Sequence, residues 1–477
     1  MPSKYTSLLL LCVWLISHTA FAQTLSQART LYNKGQYAEA KPMFERYLKR
    51  QPANGNYNLW YGVCCLETGD AKRAVDCLET AVRKRIPSGQ LYLGQAYFAT
   101  YRFEEGLKVL EDYAAELKRR KRDTALAEQW IEKCRMGMRL LRGVENVCVV
   151  DSMVMDKDSF LNAYRISPES GRIFLYNAYF GINEESQTTV YQTELGDKIF
   201  YAQPQATGMN LLLTSNRTNN GWGQGAPLTG AVEKEMNPNY PYMMADGTTL
   251  YYAAEGPHSL GGYDIFVTRL NSDNNTYLTP VNMGMPFNSP ANDYMYVVDE
   301  FRNLGWFVSD RHQPEGKVCV YVFLPNASKQ VHDYENISPE FLRRQASIHA
   351  LKETWSDQTM VADALQRLKD TQDEAASDKR ERDFFFVVDD RTIYTHYTDF
   401  KTPHAKELFG RYHAANRKLK QVQKRLDNLR MDYMQADKQK QKQMSPAMLD
   451  LEKRKKQLYE EKAQLAIEVR KAVLETP

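Results

Sequence analysis

The 477 residues contain no Gly-x-Ser-x-Gly, no His-Glu-x-x-His, no phosphate loop and no Cys-x-x-Cys. Those patterns supply an activated nucleophile, a zinc site, a phosphate cradle and a redox pair. Without them, and with eight scattered His, no catalytic constellation is legible. No enzyme activity, no cofactor and no metal site are therefore expected. Charge of one sign is missing too. Lys and Arg number 62 against 59 Asp and Glu, a net of +3, which implies no polyanionic partner such as a nucleic acid. After residue 22 no apolar run reaches the about 20 residues of a membrane-spanning helix. Cysteine is sparse at seven. Six remain once Cys12 is set aside with the leader described next. Buried thiols are the plain reading of these six, although export permits disulfides. A bond between Cys64 or Cys65 and Cys77, across the Gly69-Asp70 turn, is the alternative.

Residues 1–22 read as a signal peptide. Lys4 is a weak positive start, Leu8 to Ile16 is an apolar run too short to span a bilayer, and Ala20-Phe21-Ala22 is a cleavage site. Cys12 lies inside the apolar run behind Leu11, where lipidation needs a small residue. The expected location is therefore the exported, periplasmic space, with outer-membrane association.

From residue 23 to 141 the sequence repeats. Ala28, Gly35, Tyr37, Ala40, Phe44 and Pro52 are echoed by Gly62, Gly69, Ala74, Leu78 and Ala81, then by Gly94, Tyr97, Phe103, Gly106 and Leu110. Gly35 to Gly69 is 34 residues, and the third round is two residues short. Small residues at 28, 62 and 94 allow close helix approach, and Gly35 and Gly69 allow a left-handed turn. This pattern resembles tetratricopeptide repeats, and residues 124–141 resemble the capping helix such an array needs. The resemblance implies an α-solenoid whose groove is lined by the first helix of each pair. Those residues are Leu25, Arg29, Tyr32 and Asn33, then Leu59, Val63, Leu66 and Glu67, then Leu91, Gln95 and Phe98. Bracing of the neighbouring domain is the competing role.

Residues 145–400 alternate short β-branched and aromatic runs with turns. Asp246-Gly247 makes a tight turn. Pro241, Asp246, Gly247, Leu250, Tyr251, Gly261, Gly262, Asp264, Ile265, Phe266, Pro280, Val281, Asn282, Gly284, Asn288 and Ser289 form a pattern. It resembles the WD-like propeller repeats of TolB-type envelope proteins of the Bacteroidota. About two degenerate blades are expected before two clear ones. Asp246 and Asp264 are read as holding the backbone of their turns rather than as catalytic acids. Asn271 to Asn275 is read as a polar turn, since it lacks the Gly and the final Glu of a calcium loop. A helical insertion is expected near 338–380, opened by Ser338-Pro339. The run from Phe384 to Tyr397 reads as a hairpin that either closes the last blade or packs on helices.

Leu408, Tyr412, Ala415, Leu419, Val422, Leu426, Leu429, Tyr433 and Ala436 alternate spacings of four and three, a heptad seam. Ser445-Pro446 breaks it, and Met448, Leu451, Leu458, Leu465 and Val469 resume it. Residues 403–475 therefore read as an antiparallel coiled-coil hairpin, with self-association as the competitor. This segment holds 18 Lys and Arg against 10 Asp and Glu. Its basic tip is either a solvated face or a contact for an anionic surface.

The whole chain thus reads as multidomain α + β: α-solenoid, WD-like β-propeller and C-terminal coiled-coil hairpin. The expected function is a non-enzymatic envelope scaffold or adaptor binding a protein or peptide segment in an outer-membrane or secretion-related assembly. A propeller binding carbohydrate or peptide is the alternative. The related envelope proteins often carry an OmpA-like domain after the propeller, and a coiled coil stands in its place here.

Overall fold

Small residues decide how the first seven helices pack. They are α1 (Leu25–Asn33), α2 (Tyr37–Arg50), α3 (Gly55–Glu67), α4 (Ala71–Arg83), α5 (Gly89–Ala99), α6 (Phe103–Arg119) and α7 (Ala125–Arg142). A side chain at Gly62 would lie 2.8 Å from Leu78, and one at Gly94 would collide with Leu110. The pairs close this tightly because those positions carry no Cβ. Each pair turns through a left-handed residue: Gly35, Gly69 and, at the third turn, Tyr101. Thr24 caps α1 and Asn54 caps α3 through side-chain oxygens.

The computed structural model describes residues 24–182, 187–218, 221–378, 386–388, 392–394, 396–435 and 438–474. The expected signal peptide and part of the charged connector after Asp370 lie outside them. The chain divides into two compact units between Gln372 and Asp373.

In the first unit the strand-rich region opens with β1 (Cys148–Asp156), which skips its sequence neighbours. A first sheet follows: β2 (Arg172–Leu175), short helix α8 (Tyr176–Phe180), β3 (Thr189–Gln192), β4 (Lys198–Pro204) and β5 (Asn210–Thr218). Two short strands, β6 (Gly221–Trp222) and β7 (Ala226–Pro227), pair with β5. The second sheet holds β8 (Asn237–Met243), β9 (Thr249–Glu255), β10 (Tyr263–Asn271), β11 (Thr276–Tyr277) and β12 (Val281–Asn282). The third holds β13 (Asp293–Asp299), β14 (Leu304–Ser309) and β15 (Lys317–Leu324), completed by β1 along β15. All these pairings are antiparallel. One sheet, not two, therefore precedes the Asp246-Gly247 sheet. Trp306, Tyr242, Tyr294 and Phe200 are buried in the core between the sheets.

The recurring polar residues of this region are hydrogen-bond fixtures. Asp246 accepts from the Thr248 and Thr249 amides, both at 2.8 Å. Asp264 accepts from the Leu260 and Gly261 amides and from Asn282. The Asn288 side chain bonds both backbone groups of Ile265. Asn271 to Asn275 forms the turn from β10 into β11, with Asn275 in the left-handed region.

Ser338 caps α9 (Pro339–Ser347) as expected. Leu342, Gln345 and Ala346 are its buried residues, and Phe341 is exposed. Thr354 and Trp355 then bond both backbone groups of Val149, covering the open edge of β1. Val361, Ala364 and Leu368 of α10 (Gln358–Asp378) join the core of the sheets.

In the second unit β16 (Phe386–Val387) pairs with β17 (Ile393–Tyr394). Phe386 and Val388 pack with Phe400, Leu408, Phe409 and Val469 of the helical hairpin. Closure of the last sheet falls to β1 instead, because β15 is long enough to take it along its whole length. Helices α11 (Pro403–Gln435) and α12 (Lys438–Leu474) bury Leu408, Ala415, Leu426, Leu458, Leu465 and Val469. The expected break at Ser445-Pro446 is absent. Pro446 sits inside α12, which loses one backbone bond there and continues. The expected basic tip falls partly on side chains outside the described set, Lys438 and Lys442 among them.

Candidate functional site

The array does not stand apart from the sheets. Tyr101, at the third turn, is 4 % exposed. Its neighbour across the interface is a buried ion pair, Arg311 with Asp293 at 2.6 Å. Arg311 also donates to the Pro286 and Phe287 carbonyls and to Ser309 Oγ, so its buried charge is well solvated by the protein. From α7, Lys133 donates to the carbonyls of Leu260 at 3.0 Å and Gly261 at 2.9 Å. Leu91, Phe98, Phe103, Leu110 and Ile131 share one apolar cluster with Leu260, Met285, Leu342 and Ala346. The third helix pair and α7 thus share an apolar cluster with the loops at Leu260 and Met285 and with α9.

Docking at that end leaves a cleft of about 730 Å³ where the first two turns face the sheets. One wall is Gly35–Glu39 with Leu66–Gly69. The other carries Lys157, Asn292, Tyr294, Asp310 and residues 313–317. That second wall is rigidly built. Asp310 accepts from the Asn292 amide, the Asn292 side chain and the Tyr294 hydroxyl, each at 2.7 to 2.8 Å. Lys157 lies 4.6 Å from the Tyr294 ring centre. The cleft offers aromatic faces, carboxylates, lysines and an amide, the mixture that suits a peptide, whose backbone needs polar partners and whose anchors need apolar contact. Among the described residues no cluster of three or more His, Cys, Asp or Glu could hold a metal ion.

A tetratricopeptide repeat family model matches residues 25–89 and 66–123. The first six helices are tetratricopeptide repeats. No curated protein and no solved structure matches the chain.

The tetratricopeptide residues expected to face a partner divide three ways. Leu66 and Glu67 line the cleft. Arg29, Asn33, Tyr32 and Gln95 keep exposed surface, Arg29 lying over the Trp60 ring and Tyr32 meeting Tyr37 and Phe44 edge-on. Leu59, Val63, Phe98 and Leu91 are buried and cannot meet a partner in this conformation. Leu59 and Val63 fill the space between helix pairs, and Phe98 is enclosed by Phe103 and Trp130. The six described cysteines are free, five of them buried, so Cys64, Cys65 and Cys77 are packed thiols. Burial pushes the Cys64 thiol up to about 12 and that of Cys77 to about 11. Sequence reasoning missed Tyr37, Glu39 and the whole sheet-side wall. The resemblance points to first helices, while the cleft is built from the turns after them.

Proposed function

We propose that the protein is a non-enzymatic scaffold that holds a protein segment in the cleft between the tetratricopeptide turns and the sheets. The observation that carries this reading is the cleft itself, lined on one side by repeats and on the other by a hydrogen-bonded wall. Tetratricopeptide repeats commonly serve protein–protein binding, and this cleft is where the array leaves space for a partner. The strand-rich region is a TolB-like, WD-type propeller fragment of three blades in this reading. Its support is the meandering strand order and the turn fixtures at Asp246, Asp264 and Asn288. The setting is the bacterial envelope, in an outer-membrane or secretion-related assembly, supported by Ala20-Phe21-Ala22. No helix among the described residues is long and apolar enough to cross a membrane.

A photoreactive residue at position 313 tests the reading in envelope fractions. Neighbours captured there are expected to be lost when Tyr37→Ala and Glu67→Ala are combined in a chain that still melts cooperatively. Equal capture by the double variant would remove the cleft as the binding surface.

A further inference from the structure

Packed sheets fill the gap between them with interdigitating apolar side chains. Between the second and third sheets that filling fails. Thr249 and Tyr251 of β9 and Val267 and Arg269 of β10 face Tyr296 and Phe323 across a cavity of about 500 Å³. Glu145, just before β1, also lines it and is only 8 % exposed. One of its oxygens accepts from Asn326 at 3.0 Å, and the other accepts nothing from the described residues. Tyr296 is 7 % exposed. Its ring centre lies 4.6 Å from that of Tyr251, and neither hydroxyl has a hydrogen-bond partner among the described residues. The Glu145 charge acts on both phenols. Exposed Arg269 lines the same cavity without an ion pair among the described residues. Lys329 is held there by the Met283 carbonyl at 3.1 Å.

We propose that this cavity binds a small zwitterion, an amino acid or short peptide, by its primary ammonium group. Three acceptors line the cavity: the free oxygen of Glu145 and the two phenol oxygens. An ammonium brings three donors. A buried carboxylate is unfavourable until a cation pairs with it, and aromatic faces strengthen that pairing. A neutral sugar would supply hydroxyl donors but bring no positive charge to Glu145 beyond that of Lys329, which already acts on it. Arg269, with donors in a fixed fork, suits the carboxylate of the same ligand. The volume is that of an ordinary small-ligand site, about 300–1,000 Å³.

The test is calorimetric titration of the full chain with the dipeptides Gly-Leu and Ala-Phe, their N-acetyl forms and glucose. A free dipeptide is expected to bind, with affinity falling at least about tenfold on N-acetylation, each tenfold being 1.4 kcal/mol. Glu145→Gln is expected to remove the same factor, and Arg269→Met to weaken binding several-fold. Tyr296→Phe keeps the packing and is expected to weaken binding while leaving the melting temperature in place. No dipeptide binding, equal binding of free and acetylated forms, or glucose binding that depends on Glu145 would each overturn the proposal. The acetylation comparison uses the unaltered chain, so it stands even if a variant fails to fold.

Discussion

Gly35 and Gly69 close the first two helix pairs at φ +76° and +82°, and a Cβ at either would meet nothing within 4 Å. Tyr101 closes the third at φ +59°, with its side chain buried against the sheets. The three turns are the same element under different demands. A left-handed backbone costs an ordinary residue about 1–2 kcal/mol. Fully burying a large side chain contributes about 1.5–3 kcal/mol. Burial therefore outweighs the strain at the third turn, and the open turns have no such gain, so glycine holds them. The same contrast separates the roles of the repeats: the third is anchored, while the first two border a cleft.

The sharpest way to break this contrast is to remove what lies beneath the anchor. Arg311→Met leaves Asp293 as a buried charge without its cation. The expected loss is about 3–5 kcal/mol. Because one apolar cluster ties the array to the Leu260 and Met285 loops and to α9, calorimetry of the variant should still show array and sheets melting together. An early, separate array transition in the unaltered protein would mean the third repeat is not anchored.

Within the array, Gly94→Val tests close approach against turn geometry. The added side chain runs into Leu110, and overpacking of this kind costs about 1–3 kcal/mol. Gly69→Asn changes only a left-handed position facing open space, which Asn tolerates, so its thermal melt should stay close to that of the unaltered protein. Equal melts for the two variants would mean that helix approach does not limit the array. In the sheets, Gly247→Val places a β-branched side chain at φ +66° with no steric neighbour, so only backbone strain acts. A loss of about 1–2 kcal/mol is expected from denaturant titration.

These contrasts track what could be read from sequence. The helix pairs were legible because a 34-residue repeat and its glycines are local facts. The Asp246-Gly247 turn was legible for the same reason. The pairing of β1 with β15 was not, since nothing in either strand names a partner so distant in the chain. The burial of Phe98 was equally hidden, because nothing in the repeat pattern says that Phe103 and Trp130 close over it. Pro446 was misread because the lost bond and ring clash of an interior proline are local, and this 37-residue helix continues past them. The cleft was half legible: Leu66 and Glu67 came from the repeat pattern, and the Asn292–Asp310 wall comes only from tertiary structure.

The smallest effect falls at the anchor itself. Tyr101 is buried, yet its hydroxyl has no hydrogen-bond partner among the described residues. Burial pushes the phenol up to about 12, so it stays protonated near neutral pH. If the ring alone holds the third turn, Tyr101→Phe removes an unsatisfied polar atom and keeps the apolar contact. The expected change is within about 1 kcal/mol, neutral or slightly stabilising. Tyr101→Gly is the matched control: it relaxes the backbone and deletes the ring. A ring deletion costs about 3–5 kcal/mol, more than the relaxation returns, so this variant should be clearly destabilised. Thermal melts of the two side by side separate the alternatives. A large loss in Tyr101→Phe would show that the hydroxyl, not the ring, is the anchor. A gain in Tyr101→Gly would show that strain dominates at the third turn as it does at the first two.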